Sequence, residues 1–407
     1  MKNFLLLILT LAISSCSDDF KYDELDYNLY GGIGRHNSYE HFGDFPLQLV
    51  TEDKIVSDDS SGVIQSALRL KSPYTILSNV NGKILRVNNL TVDKQFEIDS
   101  NFVPASGMTA DNNSNIYFIS SNDILYCLDF NLKLKWKNKI PIPPSRILSY
   151  SDLLVTKEGI VLGANTGDIF KYDFGGKVVW QYKSSLAIGK TFSADSAGNI
   201  YLPLTNNEFG TTESIASIDK NGKLNWQTAL PHTRILSSTV CRNERIFVTG
   251  AKELDSKRNG ATYCIAQTGK IIWTAETTLP GRNVSVDYDD NCYIAGMSSG
   301  VGEISTGIYC FNKKGKEIWN IYIGAAAVSP LIISEKYLGF TAFTGEGAAM
   351  LFLRKSDGLL VRNHSLSNLP PLYLQPLVSD DATIRLFGSN KLRQIKFTET
   401  SLNKFLP

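Results

Sequence analysis

Short runs of alternating apolar and polar residues recur along the chain, each introduced by a cluster of Asp, Asn, Ser or Gly. Period-two alternation of this length is the pattern of a strand with one face buried. Asp111-Asn112-Asn113-Ser114-Asn115 leads into Ile116-Tyr117-Phe118-Ile119, Asp195 to Asn199 leads into Ile200-Tyr201-Leu202, and Asp287 to Asn291 leads into Cys292-Tyr293-Ile294. Ten-residue phrases that close on tryptophan follow: CLDFNLKLKW (127–136), KYDFGGKVVW (171–180), SIDKNGKLNW (217–226), CIAQTGKIIW (264–273) and CFNKKGKEIW (310–319). They hold every tryptophan of the chain, Trp136, Trp180, Trp226, Trp273 and Trp319, at intervals of 44, 46, 47 and 46 residues. Each repeat therefore reads as strand A, turn, strand B, loop, strand C, tight hairpin, strand D.

The phrase has the chemistry of a hairpin. Gly176, Gly222, Gly269 and Gly315 stand in its sixth place and supply the positive φ that a tight turn needs. Asp129, Asp173, Asp219 and Asn312 precede them and are able to bond the turn's own backbone. Lys133, Lys177, Lys223, Lys270 and Lys316 fill the seventh place. A solvated charge on an outer strand discourages edge pairing, so these lysines read as a polar rim rather than a basic binding stripe.

A near-constant period of rare residues marks a repeat architecture, and four antiparallel strands per roughly 45 residues is the content of a propeller blade. The phrase resembles the PQQ-like repeat of quinoprotein-type propellers, whose consensus runs Ala-x-Asp-x-x-(Thr)-Gly-Lys-x-x-Trp. The resemblance implies that the Trp packs on the neighbouring blade and that the Ala position, here Cys127, Cys264 and Cys310, lies in the core. It is strong over residues 101–327 and weaker outside, where Phe96 stands at the Trp position and Asp357-Gly358 survives without Trp. Counting outward gives blades at 59–100, 101–141, 142–186, 187–232, 233–280, 281–327 and 328–368. The stretch Leu372 to Phe397 supplies three strands, and Pro46-Leu47-Gln48-Leu49-Val50 is a candidate for the fourth. The expected fold is thus an all-β, eight-bladed propeller over 43–397, closed by strands from both termini, followed by a C-terminal tail at 398–407. Seven blades is the alternative, with residues 43–100 less regular.

The N-terminus sets the compartment. Met1-Lys2-Asn3 is a short basic start, and Phe4 to Ile13 is an apolar run of ten residues. Ten helical residues reach about 15 Å, half of a hydrocarbon core, so residues 1–15 read as a signal peptide rather than a spanning helix. Ile13-Ser14-Ser15-Cys16 resembles a bacterial lipobox, which implies that the Cys16 thiol carries a diacylglycerol and anchors the protein. Ser17, Asp18, Asp19 and Phe20 directly behind it resemble the Bacteroidota-type surface-export signal, which implies an outer-membrane location facing the cell exterior. Residues 16–42, with Tyr22, Tyr27 and Tyr30, read as the lipidated Cys and a flexible tether whose aromatics are also able to dock. Lys and Arg total 41 and Asp and Glu 40, and loss of the first fifteen residues leaves a balance of zero. A neutral body argues against nucleic acid as partner.

Catalytic chemistry is sparse. No CxxC, CxxCH or GxxxxGK[ST] pattern occurs. His36, His41, His232 and His364 show no metal spacing. Asp287-Tyr288-Asp289-Asp290-Asn291 is oxygen-rich enough to weigh as a calcium loop, but it lacks the full EF-loop pattern and an A–B turn explains it equally. Cys292 and Cys310 are candidates for a bridge within one blade. The quinoprotein dehydrogenases of the resembled family often set two adjacent cysteines against their cofactor; no Cys-Cys pair exists here, so a PQQ-dependent enzyme is disfavoured and no cofactor is expected.

Binding remains. The B–C loops are longest at Asn206–Glu213, Lys252–Asn259 and Ser298–Ser305, which would raise one sector of the face opposite the tight hairpins. Phe209, Arg258 and Glu303 mark that candidate binding face. The leading expectation is a non-catalytic scaffold for an outer-membrane protein partner, similar in architecture to the propeller lipoproteins of the outer-membrane β-barrel assembly machinery. A surface glycan- or nutrient-binding lipoprotein is the alternative.

Overall fold

The computed structural model describes residues 49–397, apart from 56–62, 71–72, 100–101, 143–148, 190, 206–212, 232, 236–239, 255–256, 298–305, 345–346, 367–376, 379–383 and 389–390. The protein is an all-β propeller of antiparallel blades, each with a four-stranded A-B-C-D path. Seven blades follow one another along the chain, at 64–97, 109–139, 154–183, 187–230, 233–277, 281–323 and 325–365, the number given by the alternative count. The seventh starts at Ala325, inside the stretch assigned to the sixth by spacing alone. An eighth antiparallel sheet is composite: Leu377–Val378, Ile384–Gly388 and Lys391–Phe397 pair in order, and Leu49–Ile55 from the other end of the described chain adds the outer strand. Of the expected closing strand, Leu49 and Val50 stand in this sheet, and residues 46–48 lie outside the described residues.

The apolar cores lie between blades, because both faces of strands A to C are buried while the outer strand D alternates. Each tryptophan belongs to such an inter-blade core. Its ring also reaches across the junction to the next blade's C–D hairpin. Indole Nε1 of Trp136, Trp180, Trp226, Trp273 and Trp319 donates to the carbonyl oxygens of Phe174, Lys220, Gln267, Lys313 and Lys355 at 2.6–3.2 Å. The hairpin glycines therefore have two duties. Their φ values are 86°, 86°, 85° and 78°, and a Cβ on any of them would lie within 3.0 Å of the preceding blade's indole. Gly358 does the same for Trp319, which explains why Asp357-Gly358 persists in a blade with no tryptophan of its own.

Where the tryptophan is missing, its partner glycine is missing too. Blade 1 offers Phe96, and the hairpin it faces in blade 2 has Leu132 at φ 58°, packed in the same core. Arg86 takes over the polar bond. Its Nη1 donates to the Phe130 carbonyl at 2.8 Å, the same phrase position that Trp136 uses one blade on, and its guanidinium lies over the Phe130 ring at 4.4 Å. The remaining guanidinium nitrogens bond Asp93, and that hydrogen bond holds the Asp93 carboxyl below its usual range.

The described cysteines Cys127, Cys264, Cys292 and Cys310 are free and buried. Cys292 pairs in register with Phe311 and Cys310 with Tyr293, so the two thiols point to opposite faces of blade 6 and no bridge joins them. Cys292 sits in the core shared with blade 5, beside Cys264, and Cys310 in the core shared with blade 7. Burial pushes the Cys127 thiol up to about 11 and those of Cys264 and Cys310 up to about 12. Their protonated forms favour the folded state, so that contribution is complete below the unfolded thiol value near 9 and is lost as pH rises toward 11–12. Urea midpoints under reducing conditions should hold steady up to about pH 8.5 and fall by about pH 10. A flat profile to that pH would contradict the burial of these thiols.

Candidate binding surface

The oxygen-rich A–B turns are structural. Asp111 Oδ1 accepts from the amides of Asn113 and Asn115, and its Oδ2 accepts from Asn115 Nδ2 and the Tyr117 hydroxyl at 2.7–2.9 Å. Asp195 holds Asn199 and Tyr201 in the same way, as Asp287 holds Asn291 and Tyr293. The Asp-x3-Asn-x-Tyr spacing thus folds the turn around a buried carboxylate. Both Asp287 oxygens are engaged by the chain's own donors, and Lys355 Nζ of blade 7 adds an ion pair at 3.0 Å. Among the described residues no group of three or more His, Cys, Asp or Glu side chains is placed to hold a metal. His364 lies on the outer strand of blade 7, and the other three histidines fall outside the described residues.

The opposite face carries the sector expected to bind. Phe209 and Glu303 lie outside the described residues. Arg258 does not stand in a loop: Lys252–Asn259 is a correction to the sequence reading, because Arg245–Leu254 and Lys257–Ala266 are paired strands of ten residues each, in register out to Leu254 opposite Lys257. This is the longest hairpin in the described chain. Strand A of blade 5 pairs only as far as Lys252, and strand D only as far as Gly260. Beyond those points the hairpin continues as a two-stranded ribbon with no further strand paired to either edge among the described residues, flanked in sequence order by the B–C segments of blades 4 and 6. Edge strands of this kind accept a partner strand by main-chain hydrogen bonding.

A polar aromatic group lies close to the same sector. The Tyr322 hydroxyl meets Thr278, which also contacts the Tyr309 hydroxyl at 2.7 Å. Tyr322 is opposite Gly307, the second residue of the strand that follows segment 298–305, and it is 55% exposed. Tyr309 is buried against it, which pushes its phenol up to about 12. Sequence spacing gave no sign of this trio, because its members come from the turn after strand D of blade 5 and from strands C and D of blade 6.

No protein-family model and no curated protein matches the sequence. Solved structures do. BamB from Moraxella catarrhalis superposes with a TM-score of 0.60 over 83% of this chain and 98% of its own, at 14% identity. The likeness is one of fold. The Dos1 propeller gives the same result, with a TM-score of 0.64 over 84% of this chain and 93% of its own, at 10% identity. The match to BamB agrees with the architectural resemblance read from the repeats, while the PQQ-like repeat itself rests on the five phrases and not on a family model.

Proposed function

We propose that this protein is a non-catalytic propeller scaffold, anchored through Cys16 to the outer membrane and facing the cell exterior, that binds a protein partner in an envelope complex. The observation that carries the reading is the blade 5 ribbon, an unpaired two-stranded edge standing on a body locked at successive blade junctions by tryptophan. The fold shared with BamB supports a scaffold role, and Ser17-Asp18-Asp19-Phe20 behind Cys16 supports the outward location. The composite sheet stands between blade 7 and blade 1: Ile384 and Leu386 join the core of blade 7, and the inner strand of blade 1 runs beside Leu377–Val378 and Ile384–Gly388. Arg258 belongs to a ribbon strand, and Phe209 and Glu303 belong in sequence order to the B–C segments of blades 4 and 6; these three are the residues we propose for the docking site.

Cross-linking in intact cells tests this. The native chain should yield a recurrent adduct with an outer-membrane protein, reduced about tenfold by combined Phe209→Ala, Arg258→Ala and Glu303→Ala substitution. Adducts that the triple variant leaves unchanged would move the interface elsewhere.

A second reading, capture of a surface glycan, is favoured by Tyr322, an exposed ring with its hydroxyl engaged beside polar groups. Binding to a polysaccharide panel that Tyr322→Ala abolishes would select it.

A further inference from the structure

The C–D hairpin rim has a charge character that the whole chain hides. Within the five tryptophan phrases nine lysines are exposed, Lys133 and Lys316 and those between, against four acids, Asp129, Asp173, Asp219 and Glu317. The surplus is five positive charges in a chain whose net charge is +1. None of the nine makes an ion pair among the described residues, although Lys137, Lys139 and Lys183 farther along the same strands do. Aliphatic side chains stand exposed beside them: Leu134 at 44%, Val179 at 55%, Ile272 at 47% and Ile318 at 50%. A rim made only for solubility has no use for these apolar neighbours.

The complement lies in the chain itself. Residues 17–48 carry seven acids and two basic residues, a deficit equal to the rim's surplus, and interleave them with Phe20, Tyr22, Tyr27 and Tyr30. The geometry brings the two together. In the composite sheet Lys391–Phe397 takes the place of strand C and Leu49–Ile55 that of strand D, with Leu49 opposite Phe397. Strand C runs toward the hairpin edge and strand D leaves it, so segment 17–48 joins the propeller at the edge where the lysines stand. Thirty-two residues of chain have a root-mean-square reach of about 30 Å, enough to pass beyond a single blade.

We propose that the acidic, aromatic segment 17–48 docks on the basic hairpin rim of its own propeller, carboxylates on lysines and rings on the exposed aliphatics. Attachment at the same edge makes the association intramolecular, which raises the effective concentration of each weak exposed pair. The docked segment would hold the hairpin face toward the anchor and leave the ribbon face directed outward. Docking of the segment on the rim requires only complementary charge and exposed apolar side chains, and it is independent of whether the ribbon binds a protein.

Limited trypsin digestion of the full chain in mild detergent tests it, with cleavage after Lys21 and Arg35 followed by mass spectrometry. Rates are normalised to a free peptide of residues 17–48 in the same tube. At low ionic strength cleavage should be about tenfold slower than in the peptide, and protection should vanish at high salt. Protection should also vanish in the variant carrying Lys133→Gln, Lys177→Gln, Lys223→Gln, Lys270→Gln and Lys316→Gln, whose thermal midpoint should stay within about 2 °C of the native chain's because all five side chains are exposed. Cleavage equal to that of the free peptide overturns the proposal, as does protection that survives loss of the lysines. A freely cleaved segment in a chain that binds anionic phospholipid vesicles through the same lysines would place a membrane, not the segment, on the rim.

Discussion

Replacing Asp287 by alanine lowers stability by about 3–5 kcal/mol, the largest loss expected from any single polar substitution in the described body. The carboxylate is 1% exposed and accepts from the amides of Asp289 and Asn291, from Asn291 Nδ2 and from the Tyr293 hydroxyl, all at 2.9–3.2 Å. It also faces the Lys355 ammonium at 3.0 Å across the junction between blades 6 and 7. Alanine removes a charge partner of a nearly buried cation and leaves several turn donors without their acceptor, and breaking such a pair costs more than the pair contributes when whole. Asp195 makes the same turn bonds to Asn199 and Tyr201 but meets the amide of Gln267 at 3.3 Å where Asp287 meets lysine. Asp195→Ala should therefore cost less, about 1–3 kcal/mol. Thermal midpoints of the two variants order the losses; equal midpoints would show that the Lys355 pair adds nothing.

Gly222→Ala is expected to cost about 2–4 kcal/mol, as much as many core truncations, although it adds one methyl group at the surface end of a hairpin. The backbone there has φ 86°, and the new Cβ would lie 2.8–3.0 Å from three ring atoms of Trp180. The turn cannot shift to relieve the clash without breaking the indole bond to the Lys220 carbonyl at 2.9 Å. Gly324→Ala is the control: a Cβ there meets nothing within 4 Å, and no loss is expected. A double-mutant cycle of Gly222→Ala with Trp180→Ala separates the two causes. The steric part should disappear in the double variant and the cost of positive φ should remain. Full additivity would mean that the indole does not constrain the hairpin.

Much of the fold was legible because its signals are local. The Asx residue, the glycine and the tryptophan recur within ten residues, so one phrase predicts one hairpin, and five phrases at a fixed period predict blades. What crosses a junction was not legible. Nothing within one repeat shows that Gly222 answers Trp180 forty-two residues earlier, although the joint absence of tryptophan at Phe96 and glycine at Leu132 carried the clue. Arg86 stands in no motif, and only the structure shows it donating where an indole donates elsewhere. The blade 5 ribbon reads as a loop in the sequence because Lys252–Asn259 holds a single apolar residue, Leu254. A strand that leaves the core loses the alternation by which strands are recognised. The outer strand of the composite sheet was half seen for the same reason: Leu49 and Val50 carry an apolar signal, while Thr51 to Lys54 do not. The candidate surface was less legible than the fold, since spacing showed neither the ribbon nor the Tyr322–Thr278–Tyr309 contacts.

If the protein holds a partner at the envelope, purification of the lipidated chain from native membranes in mild detergent, with quantitative mass spectrometry of what accompanies it, should recover an outer-membrane barrel or translocation component at near-equal molar amount. That component should be lost when the blade 5 ribbon is shortened by removing residues 253–258. Recovery of the protein alone, at amounts where a stable complex would survive, would contradict that role.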